Sequence, residues 1–83
     1  MNLYIYAHPA QMITFQLVNN NEICSNENCT YVDIIRTTSK YLKEYSINNI
    51  FIIGETVFAD KVGSMIRKTF NNQIENIERI KNA

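Results

Sequence analysis

Residues 47–53, INNIFII, carry apolar side chains at every position from Ile50 to Ile53, so a strand built from them is apolar on both faces. A strand alternates its side chains between two faces, and a half-exposed one shows a polar residue at every second position. A run without that relief reads as an interior strand in the middle of a sheet, covered on both faces, as in sheets crossed over by helices. The rest of the chain must then supply helices and further strands, and it has 83 residues in which to do so. That length makes one domain, 1–83, near the low end of what buries a self-sufficient core, with roughly 60–65% of the unfolded surface removed from water. Little material remains for a deep active-site cleft.

The segments around this run have clear periods. NLYIYA (2–7) puts Leu3, Ile5 and Ala7 on one face and stops at His8-Pro9, because Pro9 has no N–H for a ladder. QMITFQLV (11–18) sets Ile13, Phe15 and Leu17 against Thr14 and Gln16. Asn19-Asn20-Asn21 tolerates positive φ and turns the chain, and EICS (22–25) returns as a short third strand, completing an antiparallel meander. Thr30 and Asp33 have the spacing of a capping box, with Asp in place of the usual Glu or Gln. Tyr31, Ile34, Ile35, Thr38, Tyr41, Leu42 and Tyr45 follow at helical spacing to about residue 45, with Arg36, Lys40 and Lys43 on the other face. A second helix is predicted from about Thr56 to Phe70, burying Phe58, Val62, Met65, Ile66 and Thr69. Gly63 in its interior costs ~1 kcal/mol against Ala, which a close backbone approach to the sheet or to a partner would explain. QIENIERI (73–80) matches neither period cleanly; it is assigned to a last edge strand, with a helix turn as the alternative.

Composition narrows the function classes. Eight Lys+Arg balance eight Asp+Glu, so no global field attracts nucleic acid or an anionic membrane, and any such binding must be local. No apolar stretch approaches the ~18 residues of a membrane span, and MNLYIYAHPA has neither a basic n-region nor a cleavable apolar h-region, so a cytoplasmic location is expected. Cys24 and Cys29 are then expected as free thiols, and with His8 as the only histidine they lack the partners of a zinc site. The sequon Asn28-Cys29-Thr30 carries no weight without secretion. Abundant Asn and Ile, as in FNNQIENIERI, are common where coding DNA is AT-rich, which suits a low-GC bacterium, its phage or another mobile element.

The predicted order strand, strand, strand, helix, strand, helix, strand resembles the ribonuclease H-like fold, shared with the actin-like ATPase domains. The resemblance implies an α/β domain with a mixed sheet, in which helices cross right-handed to parallel strands beside the meander. Enzymes of that family bind two divalent metals with an Asp in the first strand, an acidic residue on the first helix and an Asp at the end of the fourth strand. Carried over, Asp33 and Glu55 are offered, but NLYIYAHP holds no carboxylate, and a two-metal displacement loses its symmetric clamp. His8 is a poor substitute for Mg²⁺, which prefers oxygen ligands. The phosphate loop of the actin-like ATPases is glycine-rich, and AHPAQ has no glycine.

Each candidate also has a plain structural role. Glu55, in the first turn of a helix, would complement exposed N–H groups by ~0.3–1 kcal/mol, with Gly54 making the turn before it. Asp33 would serve its cap. Gly54-Glu55-Thr56 could cradle one anion at a helix N-terminus. Arg36, Lys40 and Lys43 form a basic stripe that would engage about three phosphates, weakly and with strong salt dependence. Tyr4 and Tyr6 share a face of the first strand opposite Leu3 and Ile5; left uncovered by a helix, that face would suit a protein partner or self-association, and sheet edges could pair into a homodimer. The expectation is a small non-catalytic interaction domain without cofactor, such as a modulator of a host protein, its partner being a protein. The alternatives are a degenerate metal-dependent nuclease using Glu55 and Asp33, completed by a carboxylate from a second chain, and a weak nucleic-acid-binding module.

Overall fold

Alternation and helical period resolve, in a computed structural model describing residues 1–81, into five strands and two helices. The strands are β1 (Asn2–Ala7), β2 (Met12–Asn19), β3 (Glu22–Thr30), β4 (Asn49–Ile53) and β5 (Asn76–Ile80). The helices are α1 (Ile34–Glu44), entered through a 3-10 turn at Tyr31–Asp33, and α2 (Val57–Phe70). The strands form one mixed sheet in the order β3-β2-β1-β4-β5. β1, β2 and β3 pair antiparallel, and β4 and β5 extend the sheet in parallel on the other side of β1.

Turn chemistry sets the meander. Asn20 and Asn21 both have positive φ, 53° and 66°, the requirement of a two-residue hairpin whose twist matches its strands. At the β1–β2 end His8 N–H donates to Met12 O (2.9 Å) and Gln11 N–H to His8 O (3.0 Å), with Gln11 at φ 62° after Pro9 and Ala10. Pro9 sits at the tip, where its missing N–H costs nothing.

One core cluster unites the inward residues of β1, β2 and β4 with both helices. Leu3, Ile5, Ile13, Phe15, Leu17, Ile50 and Ile52 are fully buried beneath Ile34 and Tyr41 of α1 and Ala59, Val62 and Ile66 of α2. The Phe15 and Tyr41 rings stack at 5.7 Å and 2°. Both helices therefore lie on the same side of the sheet, α2 over β1, β4 and β5 and α1 beside it, reaching β3.

Five local expectations change. β4 is an interior strand between β1 and β5, but β1 is the middle one and helices cover only one face of β4, leaving Phe51 half-buried. β3 runs nine residues rather than stopping at Ser25, because it keeps its pairing with β2 past an irregularity at Leu17/Val18. Its Ser25 and Glu27 are also tied to the Tyr41 hydroxyl, at 2.9 and 3.1 Å. No capping box forms at Thr30, since neither Thr30 nor Asp33 makes a side-chain cap bond and the Asp33 carboxylate accepts from Arg36 instead. On α2 the buried stripe is Ala59, Val62, Gly63, Ile66 and Phe70, whereas Thr69 is exposed and donates to Met65 O at 2.8 Å. Gly63 is buried, yet an added Cβ would meet Arg79 Cδ at 3.4 Å and Ile52 Cγ2 at 3.8 Å, ordinary contacts that do not demand glycine.

Candidate interaction face

Strand pleating determines what lies on the sheet face away from the helices. Register aligns Asn28, Thr14, Tyr6, Ile53 and Ile80 in one row across the strands, and Asn26, Gln16, Tyr4, Phe51 and Glu78 in the next. A third row holds Ile23, Val18, Asn2, Asn49 and Asn76. No helix covers this face among the described residues.

Its centre is aromatic. Tyr4 stacks with Tyr6 at 6.3 Å and 18°, Tyr4 meets Phe51 at 5.1 Å, and Tyr6 stacks with His8 at 6.5 Å and 11°. All three of Tyr4, Tyr6 and Phe51 are half-buried, each supported by ring neighbours and open on its outer side. Polar side chains frame them through bonds within the face. Asn49 Nδ2 donates to Asn2 Oδ1 (2.9 Å) and Asn76 Nδ2 to Asn49 Oδ1 (3.0 Å), an amide ladder across β1, β4 and β5. Opposite it, the Thr14 hydroxyl donates to Asn28 Oδ1 (2.8 Å). Its single proton is thereby committed, so the His8 Nε2 contact at 3.0 Å is one in which the ring donates. Of the charged residues within strands, only Glu78 falls in these rows; Glu27 and Arg79 turn to the helix side, toward Lys40 and Asp60.

At one end of the face, the carboxyl ends of β1 and β4 open a cleft of about 380 Å³ lined by Tyr6 to Pro9 and Ile53 to Thr56. The chain leaves β1 toward β2 and leaves β4 toward β5, so this is a point where connections diverge, the usual position of ligand crevices in open α/β sheets. Gly54 closes the floor with φ 155°, and a Cβ there would stand 2.7 Å from Ala7 O and 2.9 Å from Ala59 Cβ. Here glycine is obligatory. Thr56 caps α2 by accepting from Ala59 N–H at 3.3 Å. Glu55 thus precedes the cap instead of lying in the first turn, which holds Asp60; Glu55 is exposed at the cleft mouth.

The other sequence candidates disperse. Asp33 pairs with Arg36 at the start of α1. Lys40 donates to both Glu27 carboxylate oxygens, at 2.8 and 3.0 Å, and these bonds hold the Glu27 carboxyl below its ordinary range. Two members of the basic stripe are thereby ion-paired, and Lys43 shares its shallow groove with Glu44. Cys24 is exposed and Cys29 half-buried, both free thiols, with burial pushing the Cys29 thiol up. Among the described residues no three His, Cys, Asp or Glu side chains gather as a metal site. Among the described residues no helix is long and apolar enough to cross a membrane.

Tyr4 and Tyr6 are brought together with two partners that sequence reading did not assign to them, Phe51 and His8. The signal for Phe51 was present, since it stands one position out of phase with Ile50 and Ile52, but the all-apolar run concealed which phase was covered. No protein-family model, no curated protein and no solved structure matches this chain.

Proposed function

We propose that this chain is a small non-catalytic interaction domain that binds a protein through the bare face of its sheet, on a scaffold of ribonuclease H-like connectivity. The observation that carries the reading is the Tyr4, Tyr6 and Phe51 cluster, open to solvent in a face with a single strand carboxylate. Interface centres are depleted of charge and enriched in aromatic residues, with a polar rim, and this face has that composition. The ribonuclease H-like scaffold is supported by connectivity alone: a three-strand meander followed by two parallel strands, each reached through a helix. The Asn- and Ile-rich composition supports a phage or mobile-element source and the role of a modulator of a host protein.

A photo-crosslinking amino acid at Phe51, compared with one at exposed Val57 on α2, tests the reading in the cells that make the protein. Protein adducts should concentrate at position 51, and equal labelling at both positions would refute it. The nuclease alternative has one supporting observation, Glu55 at the mouth of the β1/β4 cleft. An amide NMR titration with Mn²⁺ decides it: selective broadening at Ala7, Asp33 and Glu55 at low metal would establish a site, and scattered weak broadening would remove it.

A further inference from the structure

We infer that the partner of the bare sheet face is a second copy of this chain, docked face to face on the same residues. The inference rests on the interaction reading above and names its occupant.

Self-complementarity is the first argument. A two-fold interface sets one patch against itself, so any charge of one sign on that patch meets its own kind across the axis. Here the rows contain Glu78 alone, at the β5 margin, while the chain's other charges lie on helices, loops and the helix side of the strands. A face of that kind is neutral toward itself. A partner selected by charge would have nothing to read on it.

The framing residues are the second argument. Asn2, Asn49, Asn76, Asn26 and Gln16 carry amides, each a donor and an acceptor at once, so a rim made of them can hydrogen-bond to an identical rim in either orientation. The aromatic centre has the same property, because rings pair with rings by offset stacking or edge to face. The Tyr6 hydroxyl already donates to Gln16 Oε1 at 3.4 Å, and facing amides would supply the Tyr4 hydroxyl with a polar neighbour when it is covered.

Size is the third. Five strands spaced ~4.8 Å apart, each contributing about five residues at ~3.3 Å, outline a face of roughly 24 by 17 Å. Side-chain relief raises its accessible area toward the ~600–800 Å² per partner that stable small interfaces bury. Two sheets packed this way lie about 10 Å apart with their inner side chains interdigitated, the arrangement of a sandwich.

The experiment uses the purified chain alone. Light scattering after size exclusion, across a dilution series, should give twice the 9.7 kDa chain mass at high concentration and the chain mass at low. Amide spectra over the same series should shift at Tyr4, Gln16 and Phe51. Tyr4→Ser combined with Tyr6→Ser should weaken the dimer by roughly a hundredfold or more, as loss of two central anchors does. Gln16→Lys guards against a folding failure, since it places like charges across the axis on a half-buried surface position and should also give monomers with an unchanged circular dichroism spectrum. A dimer whose shifts fall on the Glu22–Thr30 amides and spare Tyr4 and Phe51 would be paired through the β3 edge and would overturn the inference. A chain that stays monomeric at every concentration would overturn it too, and adducts of position 51 with a different protein would then preserve the interaction reading. Monomers with no adducts at position 51 would end both.

Discussion

The two faces of the sheet are built from the same strands and differ by one residue of phase. On the helix side, Leu3, Ile5, Phe15 and Ile52 are sealed beneath α1 and α2, and almost every contact is aliphatic or ring on ring. On the other side, Tyr4, Tyr6, Gln16 and Phe51 occupy the alternate positions and remain half-buried. Apolar character alone does not separate the faces, because Phe51 and Ile53 are as apolar as Ile50 and Ile52. What separates them is the supply of covering helix: with α1 and α2 both on one side, the described chain has nothing left for the second. The comparison teaches that a small domain can build its core on one face of a sheet and leave the other uncovered.

The largest effects come from asking the same question of both faces. Phe15→Ala, which empties a sealed ring position under Tyr41, should destabilise by about 3–5 kcal/mol in urea unfolding. Phe51→Ala on the bare face should cost about 1–2 kcal/mol in the monomer, since that ring is only partly covered. Equal losses would break the comparison. The two glycines sharpen it next. Gly54→Ala should destabilise by about 2 kcal/mol or more, because neither Ala7 O nor Ala59 Cβ can yield. Gly63→Ala should stabilise by about 0.5–1 kcal/mol, since its methyl fits and helix propensity improves. Thermal unfolding of the pair reads both signs in one experiment.

A smaller gain is expected from Thr38→Val. The Thr38 hydroxyl is fully buried on the helix side without a hydrogen-bond partner among the described residues, and an orphaned group of that kind costs about 1–3 kcal/mol. Part of this should return as a higher urea midpoint, and a lower midpoint would show that the hydroxyl finds a partner. The smallest effect lies at the sheet margin, where Glu27 joins Lys40 and Tyr41. The Glu27 carboxyl is lowered from its ordinary 4.5, chiefly by the Lys40 hydrogen bond. A lowered carboxyl contributes stability that is present above the unfolded value and is lost as pH falls through the folded one. The Tyr41 phenol is raised above 10.0, chiefly by burial, so its contribution is complete below that value and is lost as pH rises through the folded one. Amide exchange in β3 should therefore accelerate at both extremes, and Glu27→Gln should flatten the acid limb at a cost of about 1 kcal/mol or less.

Much of this fold is legible residue by residue. The alternation of NLYIYA and QMITFQLV, the Asn turn and the two helical periods foretell the meander and both helices to within a few positions. The misses have a common cause, which is that a local pattern cannot say what stands opposite it. Thr30 and Asp33 have capping spacing, but Arg36 takes the carboxylate. EICS looks like a whole strand, but bonds to Tyr41 sixteen residues on from Ser25 help hold the chain extended to Thr30. Arg36, Lys40 and Lys43 read as a free stripe until Glu27, brought alongside by β3, neutralises one of them. Tyr4 and Tyr6 were readable as a shared face, and their link to Phe51 was not, because it depends on β1 pairing in parallel with β4 across more than forty residues.

The sequence by itself determined which residues alternate, where the chain turns, that the domain is small and electrically balanced, and that its first strand holds no carboxylate. These are properties of neighbours along the chain, and steric and hydrophobic periodicity act at that range. Only the tertiary structure decided that both helices lie on one side of the sheet, that Gly54 is indispensable and Gly63 is not, and that Tyr4, Tyr6 and Phe51 form one exposed cluster. Each depends on side chains distant in sequence meeting through strand register and helix placement, and no local period carries that information.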